Sequence, residues 1–190
     1  MDLAQEAEWA QKAQKGDASA FGQIVMRYQR PVYSLCARHL DGAEAEDAAQ
    51  ETFVRAFVHI KAFDSGRPLL PWLLTIARHL SLDRLRKRRP DFDSETIEAS
   101  VDLDHADAEQ NAATHEALHS VDQVLAKLPA PQREALILFH VEGLAYRDIA
   151  ATLDVPLGTV MTWLHRGRAI LRQALTDGPA TARIHSGVSP

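Results

Sequence analysis

The sequence predicts an all-α protein of two small helical domains joined by an acidic flexible linker, the second domain containing a helix-turn-helix. Three observations carry this reading. Apolar residues recur at helical spacing through both ends of the chain. Charge is divided into blocks along the sequence. A tight break, DVPLGT, separates two short amphipathic runs between Leu144 and Arg172.

The charge blocks set the domain organisation. The chain has 190 residues and a net charge of −5. Residues 1–90 carry 14 Lys and Arg against 11 Asp and Glu, whereas residues 91–122 carry 10 acids and no Lys or Arg. Residues 123–190 return to 7 cations against 5 acids. A mildly acidic total thus conceals two mildly basic modules on an acidic strap, a pattern that points to nucleic acid. The boundaries fall at 1–90, 91–120, 121–176 and a disordered tail, 177–190.

Composition excludes several function classes. Cys36 is the only cysteine, so no intrachain disulfide can form, and its apolar neighbours mark it as a packing residue. The nine histidines are dispersed and match neither HExxH nor a Cys/His zinc spacing, so neither a metal nor a cofactor is expected. The start MDLAQEAEWAQK lacks a basic segment followed by an apolar one, and no apolar run approaches the ~20 residues that span a bilayer. A cytoplasmic protein without membrane insertion is expected. The only carboxylate cluster, Glu46, Asp47 and Glu51, has no further ligand at matching spacing, so no enzyme is read here.

Taken in order, residues 3–40 are helical, with Asp17 placed as an N-cap after Gly16 and Pro31 marking a kink or a new first turn. Their stripe runs through Phe21, Ile24, Val25 and Tyr28 to Val32, Leu35, Cys36 and Leu40. The next helix, Ala43 to Ala62, opens with acids that suit the positive end of its dipole; its apolar side includes Phe53 or Val54, Phe57 and Ile60. DSGRPLLP reads as a loop. Trp72 to Arg89 follows as a helix whose second half holds five cations in six residues, 84–89, the footprint of a nucleic-acid backbone site. Residues 91–120 are too polar to pack, with a helical stretch expected near Ala106 to Leu118. Leu125, Leu128, Leu136, Ile137, Phe139 and Val141 then supply the apolar surface of the second module.

In the helix-turn-helix, Ile149, Ala150 and Leu153 form the inner face of the first helix. Asp154 is suited to a left-handed turn and Pro156 fixes φ before the second helix, which opens at Gly158 and Thr159. A buried stripe of Val160, Leu164, Gly167 and Leu171 throws Met161, Thr162, His165, Arg166, Ala169 and Arg172 outward as readers of base edges and phosphates.

These residues resemble the extracytoplasmic-function (ECF) sigma factors, the smallest two-domain sigma factors of bacteria. The resemblance rests on GDASAFGQIVMRYQRPVYSLCARHL, AEDAAQETFVRAF and WLLTIARHLSLDRLRKRR in the first module, and on LPAPQREALILFHVEGLAYRDIAATLDVPLGTV with LHRGRAIL in the second. It implies a transcription initiation subunit that is not an enzyme. Such a subunit would bind core RNA polymerase at its clamp and flap, recognise duplex promoter DNA, hold the melted single strand, and answer to an anti-sigma factor. The resemblance puts Asp47, Gln50, Glu51 and Arg55 at the polymerase clamp. Phe63, Trp72, Arg78, His79, Asp83, Arg84, Arg86 and Lys87 would serve the minus-10 element, and Thr159, Met161, Thr162, Trp163, His165, Arg166 and Arg168 the minus-35 element. Three departures stand out: His79 replaces the usual Asn, Ala145 the usual Ser cap, and Met161 and Trp163 two usual cations. The rival reading is a helix-turn-helix regulator that acts without polymerase, which leaves AEDAAQETF and the strap without a role.

Overall fold

A computed structural model describes residues 3–88 and 125–177, all of whose regular structure is helical. The first module comprises α1 (Leu3–Gln14), α2 (Ala18–Ala37), α3 (Gly42–His59), a 3-10 turn (Ile60–Ala62) and α4 (Leu69–Arg88). The second comprises α5 (Ala130–His140), α6 (Tyr146–Leu153) and α7 (Leu157–Asp177).

Helix α2 is the central element of the first module, packing on α1, α3 and α4. Gly16, with φ of 94°, closes α1, and Asp17 then accepts from the N–H groups of Ser19 and Ala20, so α2 starts where the sequence placed its cap. Pro31 lies inside α2 without dividing it. The face of α2 formed by Phe21, Ile24, Tyr28, Val32, Leu35 and Cys36 is buried. Small residues let α3 approach closely: Ala45, Ala48, Ala49 and Ala56 are buried beside Thr52 and Phe53. Phe57 instead remains 44% exposed and meets Phe21 edge-on at 5.0 Å, and Val54 points outward. Helix α4 begins three residues earlier than its sequence pattern, at Leu69, because that leucine already belongs to the core with Leu73, Leu74 and Ala77.

In the second module Leu136 and Leu138 of α5, Ile149 and Leu153 of α6, and Val160 and Leu164 of α7 are buried together. Asp154 adopts the left-handed conformation (φ 56°, ψ 50°) that ends α6, and the Val155 N–H returns to the Ala150 carbonyl at 3.0 Å. Ala145 occupies the N-cap of α6 with no side-chain bond. Gly167 is where α7 crosses α5, since a Cβ there would lie 2.5 Å from Leu136 Cδ1. Val141, expected in the apolar surface, is 72% exposed, because α5 ends at His140 and the chain turns away.

The two modules touch. Helix α4 packs along α6, with Thr75 Oγ1 3.5 Å from Thr152 Oγ1. Beside that crossing, Arg38 Nη2 lies 3.5 Å from Glu142 Oε1, while Glu134 Oε1 is 3.3 Å from His39 Nε2 and 3.5 Å from Arg78 Nε. The helical stretch expected near 106–118 and the tail beyond Asp177 lie outside the described residues.

Candidate nucleic-acid interface

Three surfaces carry the chemistry. On α3, Asp47 and Gln50 are exposed, and Glu51 beside them is the hub of an ion network. Its Oε1 accepts from Arg55 Nη2 at 2.6 Å, and its Oε2 accepts from Arg84 Nη2 at 2.8 Å. The hydrogen bond from Arg84, joined by Arg55, holds the Glu51 carboxyl below its ordinary range against the opposing effect of burial. Arg84 also donates to the Glu44 carbonyl, and Arg88 reaches Glu44 Oε2 at 3.0 Å, so two cations of α4 are tied back to α3.

The second surface is the loop from Phe63 to Leu69 with the outer side of α4. Phe63 is buried and its ring lies 4.8 Å from that of half-buried Trp72. Asp64, Gly66, Arg67 and Pro68 are exposed, and Asp64 Oδ1 accepts from the Gly66 N–H at 3.0 Å, which gives the loop its own turn. Further along α4, His79, Asp83, Arg86 and Lys87 face solvent. The third surface is α7, where Met161, Thr162, His165 and Arg166 are exposed on one side.

Comparison with known proteins identifies both modules. Residues 24–90 match the Sigma-70 region 2 family, and residues 118–171 match Sigma-70 region 4. ECF RNA polymerase sigma factor SigW of Bacillus subtilis is 38% identical, the match covering 87% of this chain and 94% of SigW. RNA polymerase sigma-H factor of Pseudomonas aeruginosa is 32% identical, over 90% of this chain and 94% of that protein. The chain belongs to the ECF RNA polymerase sigma factors. It is an RNA polymerase sigma factor of a family of transcription initiation factors. Among solved structures, the sigma factor RpoE of Bartonella quintana, in complex with the anti-sigma factor NepR, superposes with a TM-score of 0.63 at 28% identity, covering 83% of this chain and 97% of that one. CnrH, in complex with the cytosolic domain of CnrY, gives 0.63 at 26% identity, covering 92% and 99%.

Within this sigma factor the expected site residues divide by environment. Asp47, Gln50 and Arg55 share the exposed side of α3, while Glu51 is held by Arg55 and Arg84. Among the residues expected at the minus-10 element, His79, Asp83, Arg86 and Lys87 lie open, with Arg86 and Asp83 paired at 3.4 Å. Arg84 faces α3, with Glu51 as its acidic partner at 2.8 Å, and Arg78 faces the second module, with Glu134 as its acidic partner at 3.5 Å. In region 4, Thr159 is half-buried. Trp163, expected outward, packs half-buried against the core. Arg168 is half-buried too, its Nη2 donating to Tyr146 Oη at 3.3 Å and its guanidinium over the Phe139 ring at 5.7 Å. Sequence reasoning missed the group Arg38, His39, Glu134 and Glu142, since isolated charges on helices read as solvated.

Proposed function

We propose that this sigma factor binds core RNA polymerase through Asp47, Gln50 and their neighbours on α3, and opens promoters with residues 1–90. The Phe63–Leu69 loop would take an unstacked base of the minus-10 element, with His79, Arg86 and Lys87 along the DNA strand. Residues 121–176 would engage the polymerase flap and read the minus-35 element with Met161, Thr162, His165 and Arg166. Residues 91–120 connect the two, and 177–190 form a tail.

One observation carries this reading: exposed Asp47 and Gln50 lie on α3, whereas exposed Arg86 and Lys87 lie in the last turn of α4, the helix whose first turn follows the exposed loop. A protein surface and a nucleic-acid strand ask for such different faces. Among the described residues no helix is long and apolar enough to cross a membrane. We place the protein in the cytoplasm with the polymerase, without catalysis of its own, and under an anti-sigma factor of the kind seen with the Bartonella quintana protein.

Run-off transcription of a genomic fragment library by core polymerase with and without the purified chain tests this. Discrete new start sites with a shared upstream pair of elements are expected. Specific duplex binding without any new transcript would instead favour a regulator that acts alone.

A further inference from the structure

Helix α1 lies outside the segment that matches region 2, which begins at residue 24, yet its polar side chains reach the loop between α3 and α4 at both ends. Gln14 Nε2 donates to the Phe63 carbonyl at 2.6 Å and to the Ile60 carbonyl at 3.1 Å. Eight residues earlier on the same helix, Glu6 Oε2 accepts from the Leu69 N–H at 3.3 Å. Gln11 Nε2 comes within 3.5 Å of Ser65 Oγ between them. The Phe63 carbonyl just after the 3-10 turn and the first N–H of α4 are groups that helix ends leave without helical partners, while the Ile60 carbonyl also accepts from the Phe63 N–H at 3.1 Å. Here one helix serves both.

Helix α1 is itself fixed. Ala10 and Ala13 are buried, and Glu6 shares a hydrogen bond with the buried Tyr28 of α2, whose pKa is raised by burial first and by that bond second. The stretch from Asp64 to Pro68, exposed but for half-buried Ser65, is therefore tied at both ends to one helix. A loop that grips a single unstacked base needs its backbone fixed in position, because the contacts that discriminate one base from another are short and directional.

We propose that Gln14, assisted by Glu6, is a positioning residue for base selection: it sets the place of the Phe63–Leu69 loop without touching DNA. The inference rests on the assignment of that loop to base capture. The polarity of the contact makes it testable, since two carbonyl oxygens face one side chain. Lysine at position 14 offers only donors at similar length, whereas glutamate offers only acceptors.

The experiment uses the full chain with core polymerase and four promoters that differ only in the captured minus-10 base, reading run-off product and permanganate reactivity. Three variants are compared: Gln14→Glu, Gln14→Lys and the loop variant Asp64→Ala with Arg67→Ala. Discrimination between the best and worst base should fall about fivefold or more in Gln14→Glu, the weight of a lost hydrogen bond, while Gln14→Lys and closed-complex binding stay near wild type. Should Gln14→Glu fail to fold, Gln14→Ala carries the same comparison against Gln14→Lys. Equal loss in the glutamate and lysine variants would reduce Gln14 to a structural residue and overturn the proposal. So would wild-type selectivity in Gln14→Glu while the loop variant loses it. Wild-type selectivity in the loop variant would overturn the base-capture assignment itself, and the proposal with it.

Discussion

Arg78 and Glu134 sit in different modules, yet Arg78 Nε is 3.5 Å from Glu134 Oε1, with 12% and 6% of their side chains exposed. His39 shares the same carboxylate oxygen at 3.3 Å. One acid of region 4 thus gathers two basic side chains of region 2, while Arg38 is met by Glu142 nearby.

Removing the acid should expose its role. Glu134→Ala leaves Arg78 facing His39 without a counterion, and breaking a buried pair from one side costs about 3 to 5 kcal/mol. Urea denaturation of the full chain measures it. A loss below about 1 kcal/mol, the range of an exposed pair, would show that water reaches this cluster freely.

The same cluster gives the protein a pH signature. Burial alone would raise the Glu134 carboxyl, but the hydrogen bond of His39 and the charges of His39, Arg78 and Arg38 prevail and hold it below its ordinary range. Its stabilisation is present above the unfolded value, about 4.3, and is lost as pH falls through the lower folded value. Glu142 has the opposite sign: burial raises it, against Arg38 and Arg30, so its ionisation weakens the folded state as pH rises through the raised value. The stability gap between wild type and Glu134→Gln should accordingly close as urea titrations move below about pH 4. A gap that widens there would reverse the assigned shift.

The crossing of α5 and α7 predicts a change of sign. Gly167→Ala gains up to about 1 kcal/mol of helix propensity, but its Cβ would fall 2.5 Å from Leu136 Cδ1. Overpacking costs about 1 to 3 kcal/mol, so the variant should be destabilised. In a Leu136→Ala background the same substitution should stabilise, because the obstruction is gone. Thermal melts of the four chains complete the cycle, and additive effects would mean the two residues do not meet.

On α7 the structure separates exposed residues from those that hold the helix. Arg166→Ala should weaken minus-35 binding by about 1 to 3 kcal/mol and relax one base position. Arg168→Ala should lower stability instead, through Tyr146 and Phe139, with base preference unchanged. Met161 is 52% exposed, so Met161→Lys should steepen the dependence of log affinity on log salt by about 0.9, one phosphate contact. Trp163→Arg should add no such contact and should destabilise the module, since the indole packs on the core. Salt titrations of the full chain on promoter and scrambled duplexes distinguish these.

What the sequence made legible was local. Asp17 as a cap, Asp154 as a left-handed stop and Gly167 at a helix crossing follow from single-residue chemistry and a 3.6-residue period, and each stands where that chemistry puts it. The loop and the basic half of α4 were visible for the same reason. Contacts between distant segments were not. Nothing in the spacing of Arg84 says that Glu51, 33 residues away, will claim it. Gln14 reads as a solvated amide until α1 is folded against the 3-10 turn. Trp163 and Arg168 came to the minus-35 face from the resemblance, and nothing in their spacing says that Trp163 packs on the core or that Arg168 meets Tyr146 and Phe139.

The seam between α4 and α6 has a geometric consequence. Elements named minus-10 and minus-35 lie about 25 base pairs apart, roughly 85 Å of B-form rise, whereas Thr75 and Thr152 are 3.5 Å apart across the seam. A single protein reading both elements, as proposed for this one, would have its modules parted, and the chain between Arg88 and Leu125 is long enough to bridge about 120 Å. Buried apolar residues of the two modules belong to one cluster, so parting brings apolar surface to water. Arg38, His39 and Arg78 on one side and Glu134 and Glu142 on the other are rehydrated as they separate, which offsets part of that cost. Parting would leave region 2 with three basic side chains newly bare, Arg78 among them on the helix proposed for the DNA strand, and region 4 with two bare acids.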